Sequence, residues 1–262
     1  MSARDFKTLE IRRREPVLQV TLNRPKRLNA MNSTMVAELG DVAAILEEDP
    51  ALRALFLDGA GASFCSGADL KELREAARDV DALTDISLAF GKMLVRLAAA
   101  PALIVAVVHG PVMGGGMGLA CVADMTLALR GTRFAMPEVT RGIPPAQILP
   151  FVVRRVGHAQ AARMALSGEQ IRPREAARIG LAHEVFENRA AVAPRLGSIA
   201  AQAGHVAPGA LKSTRALLDK GLPGPEDLEM AARVFAAAAT GAEARDGAAA
   251  FAEGRKPNWM PS

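Results

Sequence analysis

Tyrosine is absent from this chain of 262 residues, tryptophan occurs once, and aromatic residues make up only 4% of it. Such scarcity argues against a platform on which nucleic-acid bases stack, and no Lys/Arg run with interleaved aromatics replaces it. Cysteine is nearly missing as well. Cys65 and Cys121 sit in apolar surroundings without C-x-x-C spacing, so they read as small buried residues of a reducing compartment rather than a disulfide or a zinc pair. Long hydrophobic runs are also lacking. Charged or polar residues interrupt each apolar stretch well before the roughly 20 residues that a membrane span needs. Met1-Ser2-Ala3-Arg4-Asp5 carries no leader pattern. The expectation is a cytoplasmic protein that binds neither membrane nor nucleic acid.

Half of the residues are hydrophobic and 23% are charged, enough for a sizeable core and against wholesale disorder. The net charge of +4 comes from arginines spread along the chain. A phosphate-bearing small molecule suits that mild balance better than a long polyanion.

Two stretches share one design: an apolar run that reads as a strand, a glycine-bearing turn, then a helix start. In the first, Leu55-Phe56-Leu57 leads into Ser63-Phe64-Cys65-Ser66-Gly67-Ala68-Asp69-Leu70. In the second, Ile104-Val105-Ala106-Val107-Val108 leads into Gly110-Pro111-Val112-Met113-Gly114-Gly115-Gly116-Met117-Gly118-Leu119. Helix starts present unpaired N–H groups at the positive end of the helix dipole. Two such junctions aimed at one point would hold an anion, or an oxygen that becomes one during reaction. A third segment, Phe134-Ala135-Met136-Pro137-Glu138-Val139, supplies an acid or base.

Rival motifs fail on spacing. A dinucleotide loop needs G-x-G-x-x-G, but Leu119 stands three places after Gly116. Asp124 comes too soon to serve as its ribose-binding acid, and there is no P-loop. His183-Glu184 opens like a zinc-protease motif, yet Glu187 stands where the second histidine belongs. No serine sits in G-x-S-x-G, and His109, His158 and His205 lack metal-ligand spacing, so no metal site is expected.

Periodicity predicts strands over Thr8–Arg13, Val17–Leu22, Ala54–Asp58, 103–108 and 125–129. Asn32 or Ser33 would cap a helix with Val36, Leu39, Val42 and Leu46 on one side. Further helices are expected from Asp69 onward, over 83–99, and from the glycine-rich turn to about Val122. From about residue 146 the texture becomes alanine-rich and helical, punctuated as far as Pro223-Gly224-Pro225. This is an α/β protein followed by helices.

The three segments, together with Leu22-Asn23-Arg24-Pro25-Lys26-Arg27-Leu28-Asn29-Ala30-Met31 and Phe251-Ala252-Glu253-Gly254-Arg255-Lys256-Pro257, resemble the crotonase superfamily of enoyl-CoA hydratases and isomerases. The resemblance covers nearly the whole chain. It implies a spiral of ββα turns over 1–195 and a helical trimerisation region over 196–262, giving a homotrimer or a dimer of trimers. It implies an acyl-CoA thioester as substrate, with no further cofactor. Ala68 and Gly115 would give the N–H groups that bind the thioester oxygen, and Glu138 the proton-transferring carboxylate. Lys26, Arg27, Leu28, Ala30, Ser66, Asp69, Leu70 and Lys71 would line the CoA site. Phe251 and Lys256 match positions that in many members reach the CoA site of an adjacent subunit.

One position departs from the pattern. Typical hydratases carry a second glutamate where this chain has Gly118. The resemblance then leaves open a hydratase in which Glu138 handles both protons, a single-glutamate double-bond isomerase, or a CoA-ester binding protein with little turnover. The glycine-rich turn and the stretch Ile143–Arg155 look most like the hydratases of isohexenylglutaconyl-CoA and methylglutaconyl-CoA. On that reading, the missing side chain at Gly118 is expected to leave room for a substituent on the β-carbon.

Overall fold

The computed structural model describes residues 5–218 and 241–260. Its main sheet has six strands. β1 (Leu9–Arg14) and β2 (Val17–Leu22) form an antiparallel hairpin. β3 (Ala54–Gly59), β4 (Leu103–Val108), β6 (Met125–Leu129) and β8 (Glu184–Phe186) then add in parallel. Two short strands, β5 (Pro111–Met113) and β7 (Arg133–Ala135), pair in parallel as a separate ribbon.

Parallel strands need crossovers, and helices supply them. Asn32 caps α1 (Ser33–Glu48), its side-chain oxygen accepting from Met35 N–H at 3.1 Å. Asp69 and Asp79 cap α2 (Leu70–Ala76) and α3 (Val80–Ala98) in the same way. α4 is Gly115–Val122. α5 (Leu149–Ser167) is broken at Gly157, whose φ of 74° and ψ of 162° lie outside the helical region. α6 (Pro173–Arg178), α7 (Arg189–His205), α8 (Pro208–Leu218) and α9 (Ala242–Glu253) complete the described helices.

The larger core lies on the face of the sheet covered by α1, α3 and α4. There Leu18, Leu22, Leu39, Leu46, Leu55, Leu94 and Leu97 are almost fully buried. On the opposite face Val105, Val107, Leu127 and Leu129 pack against Val192 and Ile199 of α7. The sheet is thus covered on both sides, which explains why β4 reads as a nearly continuous apolar run.

The α/β architecture expected from periodicity is present. Residue 195, the boundary expected between core and helical region, lies inside α7. Pro223, Gly224 and Pro225 lie outside the described residues. No described helix is long and apolar enough to cross a membrane.

Candidate active site

Three loops at one end of the sheet are tied to one another by backbone hydrogen bonds. The first, after β2, enters a 3-10 turn at Pro25–Arg27 and leaves it through Leu28 and Asn29, both with positive φ (49° and 54°). Asn29 is fully buried. Its side chain accepts from Arg24 N–H at 2.8 Å and donates to the carbonyls of Ala60 (2.9 Å) and Ser63 (2.7 Å). An asparagine tolerates the left-handed region because its short amide can bond locally; here it also clamps the second loop.

That second loop runs from Ser63 to Asp69. Ser66 N–H donates to Leu28 O at 3.0 Å, Met31 N–H to Gly67 O at 2.8 Å, and Asp69 N–H to Met31 O at 2.8 Å. This bridge engages Gly67 and Asp69 and leaves Ala68 between them. The third loop, β5 into α4, pairs with the second: Cys65 N–H donates to Pro111 O at 3.2 Å and Met113 N–H to Cys65 O at 3.0 Å. Neither Ala68 N–H nor Gly115 N–H, the first N–H of α4, has an acceptor among the described residues. An N–H at the first helical position has no partner within its own helix.

Glycine is required twice in this junction. Gly67, at φ 104°, lies so near the third loop that a Cβ on it would be 3.2 Å from Met113 O. Gly114, at φ 49° and ψ −115°, faces Glu138, and a Cβ there would lie 2.7 Å from Glu138 Oε1 and 3.8 Å from the Gly67 Cα. The two glycine turns and the carboxylate are therefore stacked without intervening side chains.

Glu138 sits in a 3-10 turn, Pro137–Arg141, whose exit is the left-handed Gly142. The turn is tightened by Ile143 N–H donating to Glu138 O at 3.2 Å. Glu138 is half-buried, and its Oε2 is buried without a hydrogen-bond partner among the described residues. Burial raises its pKa above the usual carboxylate value, opposed by its own backbone N–H and by the charge of Arg141. A carboxyl group held in this state can take and return a proton.

The remaining expected residues divide by location. Lys26, Arg27 and Leu28 are exposed on the first loop, with Ala30 half-buried. Ala68, Leu70 and Lys71 are exposed in the second loop and the start of α2, beside half-buried Ser66. The Asp69 carboxylate is already engaged. Arg24 Nη2 donates to it at 2.9 Å, and Lys71 N–H donates to it at 3.1 Å. Burial works against its charge, but these bonds prevail and hold its pKa below the usual carboxylate value.

Lys256 is exposed in the tail after α9. In that tail Arg255 Nη1 donates to Lys256 O at 3.1 Å, and Trp259 Nε1 donates to His205 O at 3.1 Å. The side chain of Phe251 lies outside the described residues.

Both cysteines are buried, and burial pushes their thiols up to about 12, far from a reactive thiolate. His183 accepts from Thr126 N–H through Nδ1 at 3.0 Å, a structural position.

Three residues emerge only in three dimensions. A Cβ on Gly115 would lie 2.3 Å from the Met31 Cε and 3.3 Å from the Phe90 ring, so these two side chains wall the site. The third is Ile148. A side chain at Gly118 would begin 2.6 Å from Ile148 Cγ2 and 3.3 Å from Leu94 Cδ1. The room expected at Gly118 is therefore not open to a substrate, because Ile148 fills it. Its apolar neighbours gave no local signal in the sequence.

One turn of α3 before Phe90, an open surface depression of about 360 Å³ is lined by Val80, Leu83, Thr84, Ser87, Leu88 and Gln147, with no charged group among them. Gln147 Nε2 donates to Ser87 Oγ at 3.2 Å. It reaches α3 because Gly91 has no side chain: a Cβ there would lie 2.3 Å from Gln147 Oε1.

Known proteins resemble this chain along nearly its whole length. Residues 12–261 match the model of the enoyl-CoA hydratase/isomerase family. Among curated relatives, the mevalonyl-coenzyme A hydratase SIDH of Beauveria bassiana is 33% identical over 259 residues, spanning 94% of this chain and 92% of that protein. Among solved structures, Pseudomonas aeruginosa AtuE is 44% identical with a TM-score of 0.93, covering 97% of this chain and 100% of that one. An enoyl-CoA hydratase/isomerase from Marinobacter aquaeolei is 39% identical with a TM-score of 0.92, covering 97% and 99%. With its crotonase fold and hydratase relatives, the chain belongs to the enoyl-CoA hydratase/isomerase family.

Proposed function

We propose that this enzyme hydrates a 2-enoyl-CoA ester branched at C3, the branch or chain ending in a carboxylate as in a 3-alkyl glutaconyl-CoA. The observation that carries the reading is the stacking of Glu138 Oε1 over Gly114, between two turns whose Ala68 and Gly115 N–H groups have no acceptor among the described residues. These two donors hold the thioester oxygen. As water adds to C3, the oxygen takes on enolate charge, and preorganised N–H groups stabilise it without rearranging. Glu138 accepts the proton of the attacking water and delivers a proton to C2, so one carboxylate serves both steps.

Lys26, Arg27, Leu28 and Ala30 on the first loop, with Ser66, Asp69, Leu70 and Lys71 in the second loop and the start of α2, contact the CoA moiety, the lysines and Arg27 facing its phosphates. Phe251 and Lys256 complete that site from a neighbouring subunit of a trimer or dimer of trimers, and no cofactor besides the substrate's own CoA takes part.

Two observations support a branched acyl group. The open, uncharged depression on α3, one turn before Phe90, suits an alkyl branch. The Beauveria bassiana relative is named for a mevalonyl ester, which is itself branched at C3. A double-bond isomerase is the second reading, favoured by the single carboxylate; a binding protein without turnover is the third.

A panel of enoyl-CoA thioesters separates these readings. Hydration gives loss of the conjugated enoyl absorbance, isomerisation gives its appearance from a 3-enoyl ester, and a binding protein gives neither. Faster hydration of crotonyl-CoA than of 3-alkyl glutaconyl-CoA esters would defeat the branched-acid reading.

A further inference from the structure

Glu138 and Arg141 occupy positions i and i+3 of one 3-10 turn, where side chains three apart eclipse one another. The turn is a rigid base for both. Ile143 N–H donates to Glu138 O, Gly142 N–H to Val139 O at 3.2 Å, and Thr140 Oγ1 to Pro137 O at 2.7 Å. Arg141 is exposed, and no hydrogen bond or ion pair of its side chain is found among the described residues. Most arginines around it in sequence are engaged: Arg130 with Glu187, Arg155 with backbone carbonyls, Arg163 with Glu175. Arg141 is also the cation whose charge acts on Glu138.

We infer that Arg141 is the residue that recognises a carboxylate on the acyl group, so the enzyme selects acyl-CoA esters that end in a carboxylate one or two carbons beyond C3. The inference rests on the proposed placement of C2 and C3 beside Glu138. A guanidinium presents a planar fork that matches a carboxylate with two parallel hydrogen bonds. In a glutaconyl ester the carboxylate carbon is two bonds from C3, on the atoms nearest Glu138. Bringing a second negative charge beside an ionised Glu138 is unfavourable unless a cation stands with it. Arg141 meets that need from the same turn. The uncharged α3 depression does not, since no cation lines it. The two features divide the acyl group: the carboxylate goes to Arg141 and an alkyl branch to α3.

Glutaryl-CoA and pentanoyl-CoA test this directly. Both carry five acyl carbons, neither has a double bond to hydrate, and the shared CoA cancels its own contribution. Titration calorimetry of the intact protein should give tighter binding of glutaryl-CoA, by about tenfold or more, as a charge-assisted hydrogen-bonded pair implies. Arg141→Gln should remove the preference and Arg141→Lys should restore part of it. Equal affinity of the wild type for the two esters would overturn the inference, as would a preference that survives in Arg141→Gln. If that variant unfolds, Arg141→Ala takes its place and is held to the same loss of preference. Failure of the hydratase reading is distinguishable: it would appear as an Arg141-dependent preference for glutaryl-CoA without hydration of any enoyl ester.

Discussion

Gly114 and Glu138 face each other so closely that a single added methyl group at Gly114 would stand 2.7 Å from Glu138 Oε1. The contact joins the glycine-rich turn to the carboxylate 24 positions along the chain. Gly114 is required there for a second reason, since its φ of 49° and ψ of −115° are strained for any residue with a Cβ. Gly114→Ala should therefore do two things. Backbone strain should cost about 1–3 kcal/mol of stability, seen as a lower urea midpoint. The displaced carboxylate should lower kcat more than it raises KM. Wild-type kcat in a folded Gly114→Ala protein would show that Glu138 does not act from this position.

Glu138→Gln should leave acyl-CoA affinity nearly intact and reduce turnover by about a hundredfold or more, the range for a positioned acid or base. Its pH behaviour has a definite sign. Burial raises the folded-state pKa above 4.5, so the acid limb of wild-type kcat/KM should lie above 4.5 if the ionised form activates water. The same raised pKa means that ionisation destabilises the native state. Glu138→Gln should accordingly be more stable than wild type at neutral pH, with the difference vanishing as pH falls below the unfolded-state value. Chemical denaturation across that window, beside the rate profile, checks both.

Gly118→Glu should not by itself create a working second glutamate. The new side chain would start 2.6 Å from Ile148 Cγ2, and overpacking of this kind costs about 1–3 kcal/mol. Its carboxylate would also enter an apolar wall. Activity on crotonyl-CoA and on branched esters should both fall. Adding Ile148→Ala to Gly118→Glu should recover stability and raise crotonyl-CoA hydration above that of the single variant. Equal stability of the single and double variants would show that Ile148 is not what closes the position.

His109 offers a second pH test, away from the carboxylate. It is 9% exposed, with Nε2 3.0 Å from Gly61 O and Nδ1 3.3 Å from Arg189 Nη2 and 3.6 Å from Asp58 Oδ1. Burial, then the Arg189 charge, lowers its pKa below 6.5, against the pull of Asp58. Protonation thus favours the unfolded chain. The contribution of neutral His109 should be complete above 6.5 and should be lost as pH falls through its folded-state value. Melting temperatures between about pH 5 and 8 should fall toward the acid side in wild type and less steeply in His109→Gln.

Much of the architecture was legible locally. The alternation in Val17–Leu22, the apolar run of β4 and the Asn32 cap all depend on neighbours a few residues apart, and each appears in the structure at nearly the expected place. The two glycine turns could be recognised because close approach and helix entry demand glycine at fixed offsets. What local pattern could not give was contact between distant segments. β5, β7 and β8 have three residues each, too few to show a period, and exist because a strand distant in sequence pairs with them.

The same limit applied to the site. Glu138 could be singled out beside Pro137, but its place over Gly114, the walls made by Met31 and Phe90, and the burial of His109 come from packing alone. Gly118 shows the division most sharply. Its identity announces that a side chain is missing, while only the tertiary structure says what occupies the space. Ile148, thirty residues later, fills it because a close-packed interior leaves no void of that size unclaimed.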